Sequence, residues 1–445
     1  MKKKQRYFLF GGCVLALMLA AMAISCSSGS NGTADAAEKN RRNVIFMVPD
    51  GMGLSNVTIA RIYKNGPNGD SLHLEKLPYI GYQRTHSRNS TVTDSAAAGS
   101  AWASGEKFNN GEISCLDDNG DGICDGTRIN PQTILEIAQE AGMAAGLVAT
   151  SDITHATPAV WGSHVHNRKC ESEIFRQFLE HDIDVLMGGG IATNRGGCLL
   201  GETDDAYNET LIQQAIDQGY TYVRDKNEMN LAGAPDKMLG LFQYGGLTPV
   251  YSRSADSAEP TLAEMTRKAL EIMEAKETGF FLMIEGSQID WADHARDVKY
   301  QIGETLDFDN AVKIVWDWIN ADETRKENTL LIVVPDHETG GVIIDGPYGS
   351  LSHAGDTDKQ LVVSVGGSYG SDDPSTIEGV AVFDEDGNPV MAPDLTVLFG
   401  SNPDNPTSSA NHTAVDTLIW SNSPECARAM DNTELYTVMK NFISG

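Results

Sequence analysis

Basic residues are scarce in this chain, with 33 Lys and Arg against 62 Asp and Glu over 445 residues, a formal net charge of −29. That shortage excludes duplex nucleic acid and an anionic membrane face as natural partners. It also sits oddly with anion binding, unless bound cations reverse the field locally. Long apolar runs are scarce too. One extends from Tyr7 to Ile24, and no second stretch is long enough to span a bilayer. Cysteine is sparse, seven in all, and no internal repeat is found, which excludes a repeat architecture.

The one apolar run follows a basic start and precedes a polar tract, "CSSGSNGT". That is the form of a bacterial secretory signal over residues 1–25, with 26–41 as a flexible linker. "AMAISC" allows two cleavage sites. Cleavage after Ala23 would release a soluble protein; cleavage before Cys26 would leave a lipid anchor there, and this second form resembles a bacterial lipoprotein signal. The expected location is therefore exported: periplasmic or anchored to the outer membrane, with secretion as the alternative. Beyond residue 25 the chain has 29 basic residues against 62 acidic ones, a formal −33. Export permits disulfides. Cys115 with Cys124 is the first expected pair and Cys170 with Cys198 the second, leaving Cys426 over, although spacing alone does not determine connectivity.

From Arg42 onward, near-continuous apolar runs alternate with amphipathic stretches. "NVIFMVPDGMG", "AAGLVATSD", "DVLMGGG", "YTYVRD", "FFLMIEGSQID" and "NTLLIVVPDHETGG" read as strands. "NPQTILEIAQEAG", "ESEIFRQFLEHD", "TLAEMTRKALEIMEAKE" and "DFDNAVKIVWDWINADE" read as helices. The expected fold is α/β, a mostly parallel central sheet with helices on both faces. It forms one domain over 42–445, interrupted by surface insertions at about 108–128 and 346–411, with a weaker third at 196–260.

Polar residues collect just past the strand ends, where open α/β sheets bind ligands. These are Asp50, then His155 and Thr157, then Glu285, Asp290 and His294, then Asp336 and His337. A lone Asp there would read as a helix cap. Four such carboxylate-bearing ends, three of them also bringing a His, would repel one another unless cations sit among them. Asp290 and His294 share a face if their segment is helical. Mixed O/N donors suit zinc, and the oxygen donors Asp50, Thr157 and Glu285 suit magnesium. "TVTDSAAAGSAWASG" places Ser95 ahead of a small-residue helix. On its own Ser95 reads as a helix cap, and beside a metal as a nucleophile.

In order along the chain, "DGMG", "TDSAAAG", "THATPA", "HNRKC", "IEGSQIDWADH", "DHETGG" and "HT" at His412 resemble the motifs of the alkaline phosphatase family. The resemblance implies Ser95 as the nucleophile that becomes phosphorylated and Arg168 as the phosphate-clamping arginine. It implies one zinc on Asp290, His294 and His412, a second on Asp50, Asp336 and His337, and one magnesium on Asp50, Thr157 and Glu285. The reaction implied is double displacement on phosphate monoesters, with phosphate scavenging outside the cytoplasm and a homodimer as the common assembly. Two departures bear on the third metal: His155 stands where the best-known bacterial members have Asp, and Trp291 where they have Lys. His155 is thus itself a candidate ligand. Thr339 replaces a His found in some members, while His164, His166 and His353 read as structural or surface residues. The alternatives are a phosphodiesterase or sulfatase of the same superfamily and a non-catalytic phosphate- or metal-binding surface protein; Ser95 together with Arg168 favours monoesters.

A separate signal lies in "CLDDNGDGICDG". Asp117, Asn119, Asp121 and Asp125 match the first part of an EF-hand-type calcium loop, but Arg128 stands where the bidentate Glu belongs. A structural Ca2+ is the expectation there, and a disulfide-closed acidic turn is the other reading.

Overall fold

A computed structural model describes residues 41–66, 68–116, 124, 131–190 and 204–345, short strands between 362 and 399, residues 400–401, and 409–445. The secretory signal, the linker up to residue 40, the acidic loop residues Asp117, Asn119, Asp121 and Asp125, Cys198 and His353 lie outside the described residues, as does most of 346–411.

Among the described residues, ten strands form the central sheet: β1 (Asn43–Pro49), β2 (Tyr79–Arg84), β3 (Ala144–Asp152), β4 (Val185–Gly189), β5 (Thr221–Val223), β6 (Met238–Leu241), β7 (Phe280–Gly286), β8 (Thr329–Val333), β9 (Thr417–Ser421) and β10 (Ala429–Asp431). Their order is β10-β2-β9-β8-β1-β7-β3-β4-β6-β5. Only β9 runs against the rest, pairing antiparallel with both β2 and β8. The mostly parallel α/β sheet expected from the sequence is what forms.

Alternation along β1 shows why both faces must be covered. Val44, Phe46 and Val48 enter one apolar cluster with Trp102, Trp161 and Phe281. Ile45 and Met47 enter another with Leu262, Met265, Phe308 and Val315. Successive side chains on a strand point to opposite faces, so a wholly apolar strand needs helices on each. Each such side chain contributes roughly 1.5–3 kcal/mol when fully buried. Helices Ser95–Ser104, Ile134–Glu140, Ala156–Gly162, Glu171–Glu180 and Glu434–Ser444 supply the first face. Leu54–Asn65, Leu262–Ala275 and Val298–Asn320 supply the second.

The reversed direction of β9 matters for position. Its beginning lies at the end of the sheet where the parallel strands finish. The two residues His412 and Thr413 pair there with Thr339 and Glu338 just before β9 starts. A second small sheet, built from 342–345, 396–399, 362–364 and 376–377, packs Val342, Val397 and Phe399 against Ile59, Val298 and Ile302. Cys115 and Cys124 form a disulfide, and Cys426 is free and buried. Cys170 is also disulfide-bonded.

Candidate active site

Four neighbouring strands, β8, β1, β7 and β3, end side by side, and the segments leaving them carry the candidate ligands. After β1 the chain must turn at once. Gly51 adopts φ +73°, and a Cβ there would lie 2.8 Å from Asp290 Cα and from Thr339 Oγ1. Only glycine allows both the left-handed turn and that approach. Its N–H donates to Asp336 Oδ1 at 3.1 Å, tying the β1 turn to the β8 turn. Asp50 is thereby buried against both.

Three groups of side chains converge. Asp290 and His294, one helical turn apart in Gln288–His294, approach within 3.3 Å, and His412 Nε2 lies 3.5 Å from Asp290. His294 Nδ1 faces the Ala410 carbonyl at 2.6 Å and His412 Nδ1 faces the Thr93 carbonyl at 2.9 Å. A carbonyl only accepts, so each Nδ1 carries the proton and each Nε2 points inward. The two Nε2 atoms face each other at 3.1 Å, an arrangement that needs a shared proton or a cation. Asp50, Asp336 and His337 make the second group, with His337 Nε2 3.0 Å from Asp336 and 3.7 Å from Asp50. His337 stacks on His412 at 3.6 Å and so links the first two groups. Asp50, His155 and Glu285 form the third group. Thr157 is fully buried, and its hydroxyl, like both oxygens of Asp50 and of Glu285, lacks a well-formed hydrogen bond. Buried polar atoms left in that state are costly, and hard cations satisfy such oxygen sets.

The electrostatics agree. Burial and the neighbouring carboxylates of Asp336, Asp290 and Glu285 push Asp50 well above its ordinary range. Burial likewise pushes Glu285 up to about 7. Burial also raises Asp336, but His337 and the Gly51 N–H outweigh it and bring the carboxyl to about 2. Burial opposes charge on His412 as well, yet Asp290 outweighs it and lifts the ring to about 9. The polypeptide is recruiting protons where carboxylates crowd, which is the role cations take in such a site.

Ser95 opens the Ser95–Ser104 helix, and the cap is Asp94, whose side chain accepts from Ala97 N. The capping role considered for Ser95 thus falls to its neighbour, leaving Ser95 Oγ 3.3 Å from His337 Nε2. Small residues are needed behind it: every position of this helix is buried, and a Cβ at Gly99 would lie 2.9 Å from Val160 of the Ala156–Gly162 helix. Arg168 reaches the same place. Its Nη1 donates to Asp94 Oδ2 at 3.0 Å and its Nη2 lies 3.1 Å from His155 Nε2. Its backbone N–H donates to the Gly111 carbonyl at 2.8 Å, fixing the loop.

Ser95, Arg168, Asp50, His155, Thr157, Glu285, Asp290, His294, Asp336, His337 and His412 are thus brought together. Asp94 was missed by sequence reasoning; its only signal was its place directly before the serine at a helix start. Thr339, read as a replacement, donates its hydroxyl to Asp290. His164 is structural, held between the Ser114 carbonyl and Glu136 at 2.5 and 3.1 Å.

Comparison with known proteins agrees with this geometry. The family model described as alkaline phosphatase matches residues 41–444. Alkaline phosphatase 3 of Bacillus subtilis is 37% identical over 348 residues, 74% of this chain and 69% of that protein. Among solved structures, Thermus thermophilus alkaline phosphatase superposes with a TM-score of 0.68 at 25% identity, covering 92% of this chain and 94% of that one. A variant of the TAB5 alkaline phosphatase, from an Antarctic bacterium, has a histidine changed to aspartate and Mg bound in its M3 site; it matches with a TM-score of 0.65 at 25% identity, covering 91% and 98%.

Proposed function

Because this chain belongs to the alkaline phosphatase family, an enzyme family of phosphomonoester hydrolysis, we propose that it cleaves its substrates through a phosphoserine formed on Ser95. The observation that carries this reading is Ser95 Oγ lying 3.3 Å from His337, a member of the second ligand group that stacks on His412 of the first. Asp290, His294 and His412 would hold one zinc, and Asp50, Asp336 and His337 a second. Asp50, Thr157 and Glu285, with His155, would hold magnesium; the oxygens of Asp50, Thr157 and Glu285, buried without a well-formed hydrogen bond, and His155 beside them support that third site. Bound there, the metals supply Lewis acidity for a seryl alkoxide, a leaving oxygen and an attacking water.

The chain's own residues do the rest. Asp94 and the Ser95–Ser104 helix present Ser95 Oγ at the helix N-terminus, where the backbone dipole favours negative charge. Arg168, oriented from one side by Asp94 and from the other by His155, is placed to grip two phosphate oxygens at once. The Thr93 and Ala410 carbonyls keep both inward imidazole nitrogens as acceptors. Export through residues 1–25, a lipid anchor at Cys26, pairing of two copies and phosphate scavenging outside the cytoplasm belong to the same reading, supported by the leader composition and the family.

The test compares p-nitrophenyl phosphate with bis-p-nitrophenyl phosphate at about pH 9, above the value of about 7 that a catalytic metal would give a bound water. The expected outcome is strong preference for the monoester, lost with EDTA and in Ser95→Ala. Preference for the diester would move the chain to the neighbouring enzyme class. No turnover with metals bound would leave a binding protein.

A further inference from the structure

We propose that Gly246 and Trp291 are positioning residues for Arg168, acting through His155. This rests on the reading of Arg168 as the phosphate clamp. The stretch Gln243–Thr248 follows β6 and is pinned along its length. Leu247 N donates to the Thr150 carbonyl at 2.8 Å, and Gln288 Nε2 donates to both the Thr150 and Leu247 carbonyls at 2.9 and 2.5 Å. Thr248 donates from N and Oγ1 to Glu259 at 2.7 and 2.6 Å, and Gly190 N bonds the Gln243 carbonyl at 3.0 Å. The backbone at 246 therefore has little room to retreat.

Gly246 is not among the residues with positive φ, so no turn geometry demands glycine there. What demands it is the indole: a Cβ at 246 would lie 2.5 Å from both Cη2 and Cζ3 of Trp291. Trp291 meets His155 edge-on, with centroids 6.0 Å apart at 82°. His155 Nε2 in turn touches Arg168 Nη2 at 3.1 Å. A pinned backbone, an indole, an imidazole and a guanidinium thus stand in contact in that order. Each member of this series touches the next directly, so a displacement of the indole is passed to the imidazole and from it to the guanidinium.

The experiment measures inorganic phosphate binding by calorimetry, steady-state kinetics, zinc content and Tm on the full-length, metal-loaded protein. Gly246→Ala is expected to raise the phosphate Kd and KM by about tenfold, equivalent to about 1.4 kcal/mol, while kcat and zinc content stay near the parent. Trp291→Ala, which removes the wall without touching the backbone, is expected to show the same split. Trp291→Phe placed on Gly246→Ala removes the colliding ring and is expected to bring affinity back toward the parent. Unchanged phosphate affinity in Gly246→Ala, or a double variant no better than the single one, overturns the proposal. Arg168→Ala separates the two readings. If it binds phosphate as the parent does, the clamp itself is wrong; if it alone loses affinity, the clamp stands and only the role of Gly246 and Trp291 falls.

Discussion

Asp94 serves two structures with one carboxylate. Oδ1 accepts from Ala97 N at 3.0 Å and caps the Ser95–Ser104 helix; Oδ2 accepts from Gly111 N and from Arg168 Nη1, each at 3.0 Å. Asp94→Ala removes the cap, about 1 kcal/mol of stability, and leaves Arg168 held only from the His155 side. The expected result is a raised KM and a raised inhibition constant for phosphate, with kcat not reduced, read from initial rates with and without added phosphate. Asp94→Asn keeps an acceptor for the cap and should recover Tm more than affinity; an unchanged inhibition constant in both variants would detach Asp94 from the arginine. At this scale the sequence was most legible where chemistry and position coincide. Asp50, Glu285, Asp336 and His337 all lie at or just past the ends of apolar strands. The Asp94–Arg168 pair spans 74 residues with no periodic signal. The Thr93 and Ala410 carbonyls that orient His412 and His294 are backbone groups, which residue identity does not announce.

The Val298–Asn320 helix holds the segment between β6 and the next helix through two buried carboxylates. Glu304 Oε1 accepts from Val250 N at 2.7 Å and Asp307 Oδ2 from Leu262 N at 3.0 Å. Burial pushes Glu304 up to about 8. Its folded value lies above its unfolded one, so the folded chain keeps a proton that the unfolded chain releases first. Stability is therefore lost as pH rises from the unfolded value through about 8, and the loss is complete above that. Glu304→Gln keeps the acceptor for Val250 and cannot ionise. It should raise Tm in alkaline buffer, by up to ~5 kcal/mol of stability, and change little in acid. Equal Tm shifts at both ends of the range would count against a buried carboxyl as the cause. The interior strands were readable because burial on both faces makes them continuously apolar. β2 was not: "YIGYQR" is buried only at Gly81 and Gln83, while the apolar Ile80 and Tyr82 are exposed. The long helix begins at Val298, earlier than "DFDN", because Asp297 caps it through Tyr300 N at 3.0 Å.

Across the whole molecule, the shortage of cations in the sequence and the crowd of carboxylates at one end of the sheet are one fact seen twice. A chain with a net charge of −29 folds around a centre where Asp50, Glu285, Asp290 and Asp336 are all at least nine-tenths buried. Without metal, burial holds Glu285 at about 7 against an ordinary value of 4.5. Between those values the unfolded chain gives up the proton and the folded one does not, so metal-free stability falls as pH climbs through that window and stays low above it. Asp336 acts in the opposite sense, but its contribution is already complete above its ordinary value of 3.8 and adds no slope there. Bound cations remove the penalty, because they favour the ionised carboxylates that burial opposes. Glu304 lies outside the centre and contributes alike to both forms, so it cancels in their difference. Calorimetry of EDTA-treated and zinc- and magnesium-loaded protein should therefore give Tm values that diverge from about pH 4.5 to about pH 7, by about 3 kcal/mol of stability for this group alone. Parallel Tm curves for the two forms would mean that Glu285 does not depend on a cation, and would remove the third group from the metal centre.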